Sequence, residues 1–237
     1  MNDARHIKSL GTILGVWAHP DDEVFSCGGI MALAAENGQR VMCMTASRGE
    51  AGVQDESRWP AEKLGAIRTK ELEAAYECLG AIEHVWFDYS DGKVGDVSLA
   101  EGEKVVTRRI EACHPDTILT FGPEGMTGHP DHRAVSAWAT RVGKERGIAV
   151  YHAVLTPETY DADREADEQF DIFFNIERPP IVQRGDCDLY IDLSDKTLQK
   201  KCAALKAMPS QTESLIKAMG EEKVCDMNRI ESFVRAK

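Results

Sequence analysis

The chain alternates short apolar runs with longer segments of helical periodicity, and this alternation restricts the fold more than any other feature. Apolar runs rich in strand-forming residues occupy residues 12–18, 40–45, 85–89, 117–121 and 150–155. Segments with helical spacing of apolar residues lie between them, at 28–37, 60–79, 99–113 and 132–146. Strands that alternate with helices predict an α/β fold, in which a mostly parallel sheet is covered by helices on both faces.

The part of the chain after residue 155 is less regular. The acidic segment 157–169 is predicted to be a surface loop. The predicted strands are 171–176 and 187–193, and the predicted helices are 195–206 and 213–235. No internal repeat or low-complexity linker divides the chain. We therefore expect one domain over residues 1–237 with a C-terminal elaboration.

Composition and charge exclude several classes of protein. The 237 residues are 43% hydrophobic and carry a formal net charge of −12, so one sizeable core can form and phosphate backbones are not attracted. We expect no nucleic-acid partner. No apolar stretch reaches the roughly 18 residues of a membrane span. The segment MNDARHIKSLG at the start lacks the apolar region of a signal peptide.

The cysteine pattern bears on the compartment. Seven cysteines give an odd count, and no two have C-x-x-C spacing. This pattern favours neither a disulfide scaffold nor a cysteine zinc site, and it fits a reducing compartment. We expect a cytoplasmic protein with no membrane partner. The sequence leaves the oligomeric state open, a homo-oligomer included.

A first cluster of polar residues directly follows the first predicted strand. It reads Ala18-His-Pro-Asp-Asp-Glu23, with His19 and Asp22 three residues apart. The carboxyl ends of parallel strands are where α/β sheets place functional groups. An imidazole nitrogen and a carboxylate oxygen are good zinc ligands. Asp21 lies between the two and is free for another task.

A second cluster, Gly128-His-Pro-Asp-His132, follows the fourth predicted strand. One of its two histidines supplies a third ligand, which leaves a fourth position open, as in catalytic zinc sites. A third His-Pro-Asp begins at His114, but it precedes the fourth strand and belongs to the opposite edge of the sheet. We expect His114 to be structural and far from the metal.

These clusters resemble those of the LmbE/PIG-L family of zinc-dependent N-deacetylases. The family sequences A-H-P-D-D-E and G-H-P-D-H occur here without substitution. The resemblance extends from about residue 14 to residue 137 and includes Gly28-Gly29, the R-G-E at 48–50, and an R-x-x-E helix with Arg68 and Glu71. It implies a Rossmann-like sheet and a zinc-dependent hydrolase.

The resemblance also implies residue roles. His19, Asp22 and His132 would bind Zn²⁺, with another divalent ion such as Fe²⁺ as the alternative. Asp21 would be the general base. A protonated His129 would stabilise the oxyanion, and Asp131 would orient it and raise its pKa. Either Asp21 or His129 could protonate the leaving amine.

Other residues near the clusters carry weaker predictions. Arg68 and Asp91 are at positions that face the substrate's sugar hydroxyls in the family, although each could be an ordinary surface or turn residue. Glu50 is a similar but weaker candidate. Glu23 and Cys27 are expected to support or pack near the site rather than react.

The expected substrate is a small N-acylated, most simply N-acetylated, amino sugar or sugar conjugate. One alternative is a metal-dependent amidase that hydrolyses the amide of another N-acylated metabolite or of a thiol conjugate. A second alternative is a metal-binding protein without catalysis. The loops 48–60, 90–98 and 156–170 are expected to wall the pocket and to distinguish the substrates. A Met at position 208, where the family often has His, affects either these surroundings or packing.

Overall fold

A seven-stranded sheet organises the protein in the computed structural model, which describes residues 4–173 and 175–237. The strands are β1 (Ile13–Trp17), β2 (Val41–Ser47), β3 (Ile82–Tyr89), β4 (Thr117–Phe121), β5 (Ala149–Ala153), β6 (Leu189–Asp192) and β7 (Ile230–Arg235). Their order is β3-β2-β1-β4-β5-β7-β6. The first five are parallel, and β7 runs antiparallel to both β5 and β6. The predicted mostly parallel sheet is therefore confirmed.

Nine helices are found in the described residues. They are α1 (Ala4–Lys8), α2 (Asp22–Glu36), α3 (Ala61–Leu79), α4 (Leu99–Cys113), α5 (Pro130–Glu145), α6 (Pro157–Phe170), α7 (Asp195–Lys206), α8 (Pro209–Met219) and α9 (Glu221–Met227). The helices α2, α3 and α7 pack together, and α4 packs with α5. Because β1 to β3 and β3 to β5 progress in opposite directions, right-handed crossovers place α2–α3 and α4–α5 on opposite faces. No helix in these residues is both long and apolar enough to cross a lipid bilayer.

The helix after β1 begins earlier than predicted and is broken in the middle. It starts at Asp22 rather than at residue 28, and Cys27 has non-helical φ and ψ of −148° and 21°. The break frees backbone N–H groups of the next turn. The carboxylate of Glu231 accepts them, from Gly29 at 2.7 Å and from Ile30 at 2.8 Å. A distant side chain in β7 thereby holds the bend in α2.

A buried lysine completes this contact. The ammonium of Lys201 in α7 donates to Glu231 and to the carbonyl oxygen of Phe25, both at 2.8 Å. Both charged side chains are fully inaccessible to solvent. Buried charges are costly unless paired and hydrogen-bonded, and here each has several partners. The network therefore joins α2, α7 and β7.

Three predictions for the C-terminal part are wrong. Residues 157–169 form α6 rather than a loop, because Thr156 caps the helix and Pro157 occupies its first turn. The predicted strand at 171–176 is absent from its described residues; Phe174 lies outside them. The predicted helix 213–235 is divided: Gly220, with φ of 84°, separates α8 from α9, and the final segment is β7. The single-domain organisation stays a prediction.

The cysteines include one pair that the spacing did not predict. Cys202 of α7 and Cys225 of α9 form a disulfide, with Cα atoms 5.5 Å apart. Pairing between two helices that are separated by α8 depends on tertiary packing, so sequence spacing does not reveal it. The other five cysteines are free, and Cys27 is buried in the core, as expected for a packing residue.

Two histidines outside the predicted metal-binding clusters should make the fold sensitive to acid. Burial lowers the pKa of His84 and of His152 to about 4, so the unfolded chain binds protons that the folded protein rejects. Their contribution is complete above pH 6.5 and is lost as pH falls towards 4. We expect these two histidines to contribute a loss of about 1–2 kcal/mol to the free energy of unfolding, measured in urea, between pH 7 and pH 5, relative to a protein that lacks them.

The matched protein for this measurement is the double variant His84→Gln, His152→Gln. Buried carboxyls such as Glu23, whose pKa burial raises to about 8, favour the opposite pH dependence but are present in both proteins. The variant should therefore lose less stability between pH 7 and pH 5. Equal losses in the two proteins would contradict the assignment.

Candidate metal centre

The two predicted clusters meet at the carboxyl edge of the sheet. His19 and Asp22 follow β1, while His129 and His132 follow β4, its neighbour in the sheet. Asp91 follows β3 and reaches the same place, with its Oδ1 3.0 Å from Nε2 of His19. Three separate strand-to-helix connections thus supply one group of side chains.

The predicted ligands have ring nitrogens and a carboxylate in close proximity. Nδ1 of His19 lies 3.1 Å from Nε2 of His132. The carboxylate of Asp22 places Oδ2 3.8 Å from the same His19 nitrogen and Oδ1 3.5 Å from His132. Backbone N–H groups of Ala18 and His19 donate to Oδ2 of Asp22 and fix its orientation. Two imidazoles and a carboxylate are a donor set suited to zinc.

Neighbouring groups orient the His132 ring. Its Nδ1 lies 3.0 Å from the carbonyl oxygen of Gly125, and the ring stacks on Phe121 with centroids 4.1 Å apart. Burial, followed by the nearby His19 and His129, holds the pKa of His132 well below its ordinary value. A neutral ring with Nδ1 bonded to a carbonyl directs its Nε2 lone pair towards His19 and Asp22.

The surroundings of His19 are strongly anionic. Burial opposes its protonation, but hydrogen bonds to Asp131 and Asp91 raise the pKa of His19 to about 10. The carboxylate of Asp22 adds to this effect. A group of acidic oxygens that stabilises a positive charge so strongly is suited to a cation. Ligand atoms lie within 4.8 Å of one another in two sets, His19 with His129 and His132, and His19 with Asp91 and Asp131.

Asp21 is held beside this group by an arginine. Its Oδ2 lies 3.1 Å from Nη2 of Arg68, and its φ of 155° is one that non-glycine residues rarely adopt. Burial raises the pKa of Asp21 to about 6, although Arg68 opposes the increase. Asp21 therefore combines an unusual backbone conformation with a side chain paired to Arg68.

Arg68 has contacts that the sequence did not predict. Its guanidinium donates to the carbonyl oxygens of Gly49 and Pro20, and the side chain is only 4% exposed. It was predicted to face the substrate, as was Asp91. In the structure both contact the site residues themselves, because Arg68 pairs with Asp21 and Asp91 pairs with His19. Each is thus placed to position another side chain.

The expected relation between Asp131 and His129 is also changed. The Asp131 carboxylate accepts hydrogen bonds from the backbone of Gly92 and Gly95 and lies 3.4 Å from Nε2 of His19. Nδ1 of His129 accepts from the Asp131 backbone and caps α5. Burial and the charge of His19 lower the pKa of His129, and Asp131 opposes this only in part. Asp131 therefore raises the pKa of His129, as expected, but burial and His19 outweigh its effect.

Two buried acids support the site from outside it. Glu71 accepts hydrogen bonds from the backbone and hydroxyl of Ser210, which joins α3 to the start of α8. Glu23 accepts from the Tyr76 hydroxyl at 2.6 Å. The sequence indicated Glu71 only as part of R-x-x-E, and nothing local indicates Ser210 as its partner. Met208 is buried in the core, so its effect is on packing.

The third His-Pro-Asp lies at the amino edge, as expected. His114 ends α4 in a left-handed conformation with φ of 48°. Two residues later, Asp116 accepts a hydrogen bond from the backbone of Thr12, just before β1. The order of strand and cluster, rather than the tripeptide itself, therefore distinguishes the candidate centre.

A cavity of about 750 Å³ opens from the centre towards the C-terminal part of the fold. We call it the apolar chamber. Asp21, Asp22 and His132 line it beside the centre, and residues of α6, α8 and β7 line much of the remainder. Of the loops expected to wall the pocket, 48–60 contributes Gln54, and 156–170 contributes as a helix. The segment 90–98 does not line this cavity.

The comparisons with known proteins agree with the arrangement of the clusters. The family model described as PIG-L, GlcNAc-PI de-N-acetylase, matches residues 14–142, more than half of the chain. The chain belongs to the PIG-L family. The match covers β1 to α5 and includes every predicted site residue. In this PIG-L family member, many residues that line the apolar chamber follow residue 142, where the family match ends.

Relatives and solved structures extend this result. A 1D-myo-inositol 2-acetamido-2-deoxy-alpha-D-glucopyranoside deacetylase of Actinosynnema mirum is 31% identical over 229 residues, covering 84% of this chain and 80% of that protein. The N,N'-diacetylchitobiose deacetylase of Pyrococcus horikoshii is 22% identical with a TM-score of 0.66, covering 99% of this chain and 87% of the other.

The same fold also carries a different reaction. A 4-carboxy-2-hydroxymuconate hydratase of Pseudomonas putida KT2440 has a TM-score of 0.61 at 20% identity, with 96% of each chain covered. Fold similarity alone therefore does not determine the chemistry. The arrangement of side chains at the centre has to support the functional argument.

Proposed function

We propose that this PIG-L family protein is a metal-dependent hydrolase that removes an N-acetyl group from an amino sugar. The observation that carries the proposal is the approach of His19, Asp22 and His132 to within 3.1–3.8 Å of one another, with Asp21 beside them. The relatives named above as deacetylases act on acetylated amino sugars by their names. The substrate class comes from that similarity.

His19, Asp22 and His132 would hold the metal. Zn²⁺ suits two imidazoles and one carboxylate, and Fe²⁺ is a second candidate for the same donors. When bound, the metal would lower the pKa of a water molecule and polarise the amide carbonyl. Asp131 and Asp91 would act through His19 by accepting hydrogen bonds from its other ring nitrogen, a common arrangement around metal-binding histidines.

Asp21 would be the general base. Its carboxylate is next to the ligand Asp22 in the chain, and Arg68 holds it at 3.1 Å. A pKa of about 6 suits a group that must be ionised near neutral pH and still accept a proton. His129 lies against His19, with ring centroids 4.9 Å apart, and would contact the substrate carbonyl oxygen. Either of these two residues would protonate the departing amine.

Two alternatives to the deacetylase are tested by different measurements: the first by the choice of substrate, the second by whether any substrate is turned over. Another N-acylated metabolite or thiol conjugate would use the same centre with a different amine. A metal-binding protein without catalysis would retain His19, Asp22 and His132 but have no need of a buried base. The Asp21–Arg68 pair favours a hydrolase over simple binding.

The partner that we propose is a small molecule. The net charge of −12 disfavours nucleic acid. We retain the cytoplasm as the proposed location. The oligomeric state stays open, and a homo-oligomer with pocket loops from two copies is one of the options. Cell fractionation and sedimentation of the purified protein test these two statements separately.

The test of the function measures metal content and amine release on one preparation. We expect about one metal ion per chain and hydrolysis of N-acetylglucosamine or its conjugates. His132→Asn should remove both. The matched control is His114→Asn, which changes the other His-Pro-Asp histidine to a residue that tolerates its left-handed backbone and should alter neither. Wild-type protein without bound metal would refute the proposal. Bound metal without amine release from any acetylated sugar would favour another amide.

Arg68 provides a second prediction for this centre. Arg68→Met should raise the pKa of Asp21, because the guanidinium opposes its protonation. The acid limb of the kcat/KM profile should move to higher pH, with a loss of about 10–100-fold at pH 7. Arg48→Met is the control, since Arg48 pairs with exposed Asp88. An unchanged profile in Arg68→Met would contradict the positioning role.

A further inference from the structure

The apolar chamber is much larger than an acetyl group requires. Its volume of about 750 Å³ lies within the range of roughly 300–1,000 Å³ typical of pockets for drug-sized ligands. From the candidate metal centre, its lining continues over Phe25 and Leu155 to Phe173 and Leu215. At its rim, Phe170 is one of two large hydrophobic side chains exposed to solvent in the described residues. The chamber and the centre form one continuous space.

The walls of the chamber come mainly from the part of the chain outside the family match. The match ends at residue 142, whereas α6, α8 and β7 all follow it. The sequence expected α6 to be a polar loop, but Ala166 and Phe170 of this helix line the chamber. The apolar wall is therefore built largely from segments that the family model does not cover.

Two acidic residues line the chamber away from the metal centre: Glu231, which is paired with Lys201, and Asp163. Asp163 of α6 lines the chamber, and burial raises its pKa to about 7. Within residues 4–173 and 175–237, no hydrogen bond or ion pair satisfies its carboxyl group. Asp163 is only partly buried and lines the chamber, so its carboxylate can accept a hydrogen bond from a ligand there.

We propose that the chamber binds an apolar group of the substrate, with Asp163 accepting a hydrogen bond from a hydroxyl or ammonium donor carried by that group. The proposal rests on the proposed function, because one end of the occupant must be the amide at the metal centre. The apolar group can belong to the acyl chain or to the aglycone of the amino sugar. Both sources present the same chemistry to the chamber.

Chain length is the first test. With the metal-loaded protein, kcat/KM is measured for glucosamine carrying acetyl, butanoyl or octanoyl groups, and for methyl and octyl glycosides of N-acetylglucosamine. Each methylene removed from water changes affinity by about fourfold. We expect an increase of at least about tenfold in one series, and that series identifies the source. No increase in either series would overturn the proposal.

Two variants locate the effect. Leu215→Trp should reduce the preference for the eight-carbon substrate by at least about tenfold, because it fills the chamber; Ser214→Phe replaces it if the first variant does not fold. In the wild-type protein we expect kcat/KM to be about fivefold higher for an 8-hydroxyoctanoyl than for an octanoyl group. Asp163→Leu should abolish this difference. The control is Asp161→Asn on the exposed side of the same helix. If the chain-length preference is unchanged in Leu215→Trp and the hydroxyl preference is unchanged in Asp163→Leu, the proposed binding of an apolar group in the chamber is refuted.

A binding measurement separates this proposal from the proposed function. Calorimetric titration with methyl and decyl β-D-glucosides, below the micellar concentration of the latter, requires no hydrolysis. If the decyl glucoside binds more tightly than the methyl glucoside, and Leu215→Trp removes that difference, the proposed apolar binding in the chamber is supported even if no amide is cleaved. Hydrolysis of N-acetylglucosamine with no difference between the glucosides would support the function and overturn the chamber proposal.

Discussion

Asp21→Asn is expected to lower kcat for amide hydrolysis by about 10²–10⁴-fold while bound metal stays at its wild-type amount. Asparagine keeps the size of the side chain but has no carboxylate to accept a proton from water. The three candidate ligands are untouched, so the metal should remain. The result would separate the role of Asp21 from that of its neighbour Asp22.

The measurements are metal analysis and initial rates on the same samples. Asp88→Asn is the matched control: Asp88 is an exposed aspartate with φ of 57°, which asparagine tolerates well. It should retain full activity. Loss of metal together with activity in Asp21→Asn would mean that Asp21 is needed for the ligand arrangement and would contradict its assignment as a base alone.

Glu231→Ala is expected to lower the free energy of unfolding by about 3–5 kcal/mol. The change leaves the fully buried ammonium of Lys201 without its carboxylate. It also removes the acceptor for the N–H groups of Gly29 and Ile30 in the bent helix α2. Unsatisfied buried donors each cost about 1–3 kcal/mol, so the two effects act in the same direction.

Urea unfolding monitored by tryptophan fluorescence checks this result. The control is Glu221→Ala, which removes an exposed pair with Lys206 at 2.7 Å and should cost less than about 1 kcal/mol. The double variant Lys201→Met, Glu231→Leu should recover part of the loss, because no unpaired charge remains, although the two N–H groups still lack an acceptor. Equal stability of Glu231→Ala and Glu221→Ala would refute the importance of the network.

The C-terminal part shows where local patterns fail. The acidic composition of 157–169 predicted a loop, but a capped start and a buried side on Ala166 make it a helix. The final segment 230–235 has a composition compatible with a helix, yet it pairs with β5 and β6. For α6, a local start signal at Thr156 and Pro157 outweighs the acidic composition. For residues 230–235, long-range strand pairing decides the structure.

The sequence by itself determined the parallel sheet and the edge at which the candidate site lies. Those features depend on short-range periodicity and on whether a polar cluster precedes or follows a strand, both of which are readable along the chain. The position of His114 relative to β4 was predicted for the same reason. Only the tertiary structure decided which side chains touch. Arg68 contacts Asp21 and Asp131 contacts His19 because separate connections converge at one sheet edge, and the geometry of that convergence is not encoded in the spacing of any single segment.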